Sequence, residues 1–149
     1  MQGSPLLPTR LPTTLRVSAA LTRPAQAAAR GGAAGAAALR NARLLLATGG
    51  ADFAIKLWRC DTGETVRTFK SRHTDWVRAL SWSVDGRLAS GSGDGTVRVW
   101  RAETGEGLAV LEGHAAAVST LQWSPGASRL ASGGGDRTIR VWQPDSGEW

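Results

Sequence analysis

The chain has a single cysteine, Cys60, which excludes both a disulfide framework and a cysteine metal site within the chain and favours a reducing compartment over a secreted setting. It has two histidines, His73 and His114, 41 residues apart and without a clustered partner, so histidine metal ligation is excluded on spacing. Long hydrophobic runs are missing. The longest are four residues, such as 44–47. A bilayer span needs roughly 20 apolar residues, and a secretory signal needs about 7–15. Acidic residues are missing before Asp52. Residues 1–51 hold six arginines and no lysine, while residues 52–149 hold twelve Lys/Arg and twelve Asp/Glu. The net charge of +6 therefore belongs to the N-terminal third. The high isoelectric point is no argument for a nucleic-acid-binding face in the remainder.

What is present is a repeat. LATGGADFAIKLW at 46–58, LASGSGDGTVRVW at 88–100 and LASGGGDRTIRVW at 130–142 follow one another in steps of 42 residues. A period of this length signals a repeat architecture. Within the middle copy, a strand over 87–92 meets the turn Gly93-Asp94-Gly95, and a second strand follows over 96–101. Val97 and Val99 fall on one face of that strand, Arg98 and Trp100 on the other. Two strands about a Gly/Asp turn form a hairpin. Segments 76–83 and 118–124 read as matching strands before the hairpin, and 63–70 and 105–112 as matching strands after it. The unit is four short strands.

Gly113-His114, Asp136 and Trp142 recur in register as His73, Asp94 and Trp100. In these marks the region 44–149 resembles the WD40 repeat family. The resemblance implies an all-β fold of β-propeller blades, incomplete here: a partial blade over 44–70, a full blade over 71–112 and a partial blade over 113–149. Residues 1–43 form an Ala/Arg/Pro-rich leader, expected to be disordered or, over 33–43, partly helical. Its arginine-rich, acid-free composition also fits an organelle transit peptide. Otherwise an intracellular setting, cytoplasmic or nuclear, is expected. Propellers close with about four to eight blades. A shorter array implies a fragment, self-assembly that completes the propeller, or completion by another protein.

Ser132, His114 and Asp136 could be written as a nucleophilic triad, but the set recurs as Ser90, His73 and Asp94, and a nucleophile is needed once. The resemblance implies instead a buried structural tetrad in each blade. One comprises His73, Ser90, Asp94 and Trp100, and the next His114, Ser132, Asp136 and Trp142. The first blade has Thr48, Asp52 and Trp58 without a matching histidine. The glycine-rich turn 91–95 lacks the Gly-Lys-Ser/Thr of a phosphate-binding loop. Trp82 and Trp123 recur and read as core, while Arg78, Arg98 and Arg140 read as a solvated face. Binding is sought where the repeats differ. Trp76 stands opposite Ala117, Arg72 and Asp75 opposite Gly113 and Ala116, and Phe53 and Arg137 opposite Gly95. The Asp that usually follows the blade Trp is replaced by Arg59, Arg101 and Gln143, so the motif of cullin-ligase substrate receptors is absent. The expected function is a non-catalytic scaffold that binds partner proteins or peptides at the propeller rim. It needs no cofactor or metal and carries no membrane or direct nucleic-acid signal in the blades. The alternative is a repeat segment of a larger enzyme or RNA-associated assembly whose activity lies outside this chain.

Overall fold

The computed structural model of the chain describes residues 15–16 and 45–146. All regular structure among them is β-strand, in three antiparallel sheets. The first sheet takes in order β1 (Leu15–Arg16), β2 (Leu45–Gly50), β3 (Ile55–Arg59) and β4 (Thr65–Phe69). The second takes β5 (Val77–Trp82), β6 (Arg87–Ser92), β7 (Val97–Arg101) and β8 (Glu106–Leu111). The third takes β9 (Val118–Trp123), β10 (Leu130–Gly134) and β11 (Ile139–Trp142). From β2 to β4, from β5 to β8 and from β9 to β11 the strands form meanders, because the turns between them are too short to reach anything but the neighbouring position. In the β6–β7 hairpin, Gly95 N–H donates to the Ser92 carbonyl at 3.2 Å, and the same bond joins Phe53 to Gly50 and Arg137 to Gly134. All three turns need a left-handed residue at that position. Gly95 (φ 82°) adopts it freely, whereas Phe53 (φ 59°) and Arg137 (φ 63°) carry the steric cost of a Cβ there.

One pairing departs from the sequence expectation. Leu15 pairs with Gly50 and Arg16 with Gly49. In the second sheet the same positions of β6 pair with the first strand, Val77 with Ser92 and Ala79 with Gly91. Residues 15–16 thus stand where the first strand of the first sheet belongs. The helix expected over 33–43 lies outside the described residues.

The sheets stack face to face. Ala47, Ile55, Leu57 and Phe69 of the first pack with Val77, Leu80, Trp82, Leu88 and Trp100 of the second. Val97, Val99 and Leu111 of the second pack with Val118, Leu121, Trp123, Leu130 and Trp142 of the third. Trp123 adds polar links, its main-chain N–H donating to Ser81 Oγ at 3.3 Å and its indole N–H to the Ser81 carbonyl at 3.2 Å. Arg87 reaches across the same junction to the Ala127 carbonyl (2.6 Å) and Asp145 (2.8 Å), over the Trp123 ring. In β11, Ile139 and Val141 occupy the positions of Val97 and Val99. Val97 is 0% exposed and Ile139 81%, and no described element covers the outer face of the third sheet.

Candidate functional site

Two chains of side chains run through the second and third sheets, one per sheet. Trp100 Nε1–H, a donor only, bonds Ser90 Oγ at 2.9 Å. Ser90 Oγ lies 2.8 Å from His73 Nε2, and His73 Nδ1 lies 2.9 Å from Asp94 Oδ2. One proton arrangement satisfies every partner: the indole donates to the hydroxyl, the hydroxyl to Nε2, and Nδ1–H to the carboxylate. The third sheet repeats it. Trp142 donates to Ser132 Oγ at 2.7 Å, which lies 2.7 Å from His114 Nε2, and His114 Nδ1 lies 2.8 Å from Asp136 Oδ2. The hairpin turn carries each aspartate, and the loop before the first strand carries each histidine, so the chain ties three strands of one sheet together.

Two threonines belong to these networks and were not singled out in the sequence. Thr96 Oγ1 donates to Asp94 Oδ1 at 2.7 Å, and Thr138 Oγ1 to Asp136 Oδ1 at 2.8 Å. They recur 42 residues apart, and the first repeat has Ala54 at that position, which was the available signal. Burial pushes the Asp94 carboxyl up, but bonds from the Thr96 main chain and hydroxyl, the His73 ring and the Thr74 N–H outweigh it and hold the pKa at about 2. Burial likewise opposes the ionised form of Asp136, and bonds from His114, Thr138 and Ala115 hold it well below the ordinary carboxylate range. Burial lowers the His73 pKa more than the Asp94 carboxylate raises it, so the ring is held neutral.

The first sheet has no such chain. Trp58 Nε1–H donates to Thr48 Oγ1 at 2.8 Å, but Asp52 turns to Lys56 Nζ at 3.2 Å instead of joining them. Without a histidine the carboxylate has no link inward. Ser90, fully buried and already accepting from Trp100, has the distances of a nucleophile without access for a substrate.

The residues expected at the rim differ in exposure and surroundings. Trp76 is 44% exposed just before β5, and the Arg78 guanidinium carbon sits 5.8 Å from its ring centroid. Asp75 is half-buried beside it, with Oδ1 accepting the Trp76 N–H at 2.6 Å, and its carboxylate fills the space that a Cβ on Gly93 would take. Arg72 is exposed and lines a groove between the first two sheets that Trp76 does not line. Phe53 and Arg137 sit exposed on the hairpin turns of the first and third sheets, and the Phe53 carbonyl accepts from Ser71 Oγ in the loop that leads to Trp76. Trp82 and Trp123 are buried, as core. The arginines expected on a solvated face are not fully solvated: Arg78, Arg98 and Arg140 are half-buried.

Residues 63–101 and 105–143 each match the family model described as WD domain, G-beta repeat. Each match begins at the glycine before the last strand of one sheet and runs through the third strand of the next. The sequence unit therefore straddles two sheets and carries the packing between them.

Proposed function

The chain belongs to the WD40 repeat family, a family of protein-interaction scaffolds, and from that premise we propose that it is a non-catalytic scaffold that seats a partner on the rim around Trp76. The observation that carries this reading is the exposure of Trp76, at a position where the next repeat manages with Ala117. Sheet construction does not require an indole there. A large amphipathic ring at low conformational cost is the commonest anchor of a protein interface. Arg78 stiffens it from one side and the Asp75 carboxylate fixes its main chain. The tetrads support the non-catalytic part, since both serine hydroxyls are buried beneath an indole N–H.

The test is quantitative enrichment from cell extract on immobilised chain, wild type against Trp76→Ala. The reading expects a set of proteins retained by the wild type and lost by the variant, with the urea midpoint of the two chains the same. A variant that retains the same set in the same amounts defeats it.

A further inference from the structure

The repeats differ most in charge along one groove. β4 and β8 are the edge strands of the first two sheets, and a groove of about 670 Å³ lies between them. Its walls carry Arg67, Lys70, Arg72 and Arg98, and among the described residues no Asp or Glu lines it. Phe69 and Trp100, stacked with centroids 5.7 Å apart, seal its base. Leu108 and Val110 of β8 form an exposed apolar lip.

These cations are left without partners. Elsewhere Lys56, Arg59, Arg87 and Arg101 pair with Asp52, Asp61, Asp85 and Glu106. None of the four groove cations makes an ion pair or side-chain hydrogen bond with a described residue, and the Nε of Arg98 is shielded from solvent and unbonded. A shielded donor without an acceptor is costly, and four like charges around one groove repel. An anionic occupant relieves both.

Arg98 recurs as Arg140, but repeat construction does not demand the other three. Ala109 and Glu112 stand in the second repeat where Arg67 and Lys70 stand in the first, and Gly113 where Arg72 stands. Arg72 moreover keeps a left-handed backbone (φ 54°), which a Cβ disfavours. Such strain, retained at a position where glycine would avoid it, clusters at functional sites.

We infer that this groove docks an extended, carboxylate-rich peptide of a partner protein. An extended chain matches the open main-chain edges of β4 and β8 on either side. Phe69 and Trp100 are buried, so the groove offers no aromatic face on which bases could stack. The N-terminal third of the chain cannot be the occupant by charge, because residues 1–51 hold no acid. Trp76 does not line the groove, so this site stands or falls independently of the rim.

The test is fluorescence anisotropy of a fluorescein-labelled octaglutamate peptide with the full chain, against an octaglutamine control. The informative variant is Arg67→Ala, Lys70→Glu, Arg72→Gly, which gives the first repeat the residues that the second already folds with. Octaglutamate should bind, octaglutamine should not, and the triple variant should weaken binding by roughly tenfold or more. Added salt should weaken it too, and Trp76→Ala should leave it unchanged. If the triple variant loses its far-ultraviolet β signal, Lys70→Glu alone, at an exposed side chain, decides in the same direction. Absent binding overturns the inference, as does binding that ignores the groove substitutions, which would place the peptide on the leader arginines. Tighter binding of a labelled oligothymidylate, lost in the same variant, would make the groove a nucleic-acid site instead.

Discussion

Ser90 shows how little freedom one residue in a tetrad retains. Its oxygen accepts from Trp100 and its proton goes to His73 Nε2, so the ring must be neutral to accept it. Protonating either ring or carboxylate breaks a link, and that ties stability to pH. The His73 pKa is depressed below its ordinary 6.5 by burial, so as pH falls through about 6.5 the unfolded chain takes up a proton that the folded chain refuses. Stability contributed by the neutral ring is complete above that value and declines below it. Asp94 adds a second loss at lower pH. Its folded pKa of about 2 lies below the ordinary 3.8, so its contribution is complete above 3.8 and drains away as pH falls toward 2. Urea midpoints followed by tryptophan fluorescence should be level above about pH 7, fall gently from pH 6.5 and fall again below about pH 4. A midpoint constant from pH 7 to pH 3 would mean that the tetrads do not couple protonation to folding.

At the scale of the element, strands of one sheet approach those of the next through glycine. A Cβ built on Gly91 in β6 would lie 2.6 Å from Val118 Cγ1, and one on Gly49 in β2 would lie 2.5 Å from Val77 Cγ1. Gly91→Ala therefore forces the second and third sheets apart, at a cost of about 1–3 kcal/mol. Gly126→Ala, with nothing within 4 Å of the new carbon, should stay within about 0.5 kcal/mol of wild type. Equal urea midpoints for the two variants would refute the close approach. These glycines also show what was legible in the sequence. The 42-residue period marks the strands and the turns, because each depends on local spacing that recurs, and the family resemblance implies both tetrads. Residues 15–16 were not legible: two residues that pair through their main chain leave no side-chain pattern. Nor was the half-burial of Arg98, since period two places it on the face of Trp100 without saying that the first sheet covers that face. Arg67 and Lys70 were legible in principle, as differences from Ala109 and Glu112, but they lie on and directly after the last strand and not in the turns where rim contacts are sought.

Over the whole molecule, the stack of three sheets has two unlike ends. At one, Ile139 and Val141 stand exposed where the equivalent Val97 and Val99 are sealed by the following sheet. At the other, Trp58 is only half-buried, where the equivalent Trp100 and Trp142 are buried. Among the described residues the two ends repeat the two sides of a junction that the sheets already make twice, which predicts that one end of a molecule receives the other end of a second copy. Contact of this kind is head-to-tail, and it closes into a ring or extends according to the rotation per copy. Exposed apolar positions on a sheet face drive such association. Light scattering after size exclusion should give the wild-type chain a mass above that of the monomer, rising with concentration. Ile139→Lys with Val141→Lys places two charges on the receiving face without touching either buried core, and should return the chain to monomer mass with its β signal intact. A wild-type chain that stays monomeric across the concentration range would show that these faces do not join, and so would a lysine variant that associates as the wild type does.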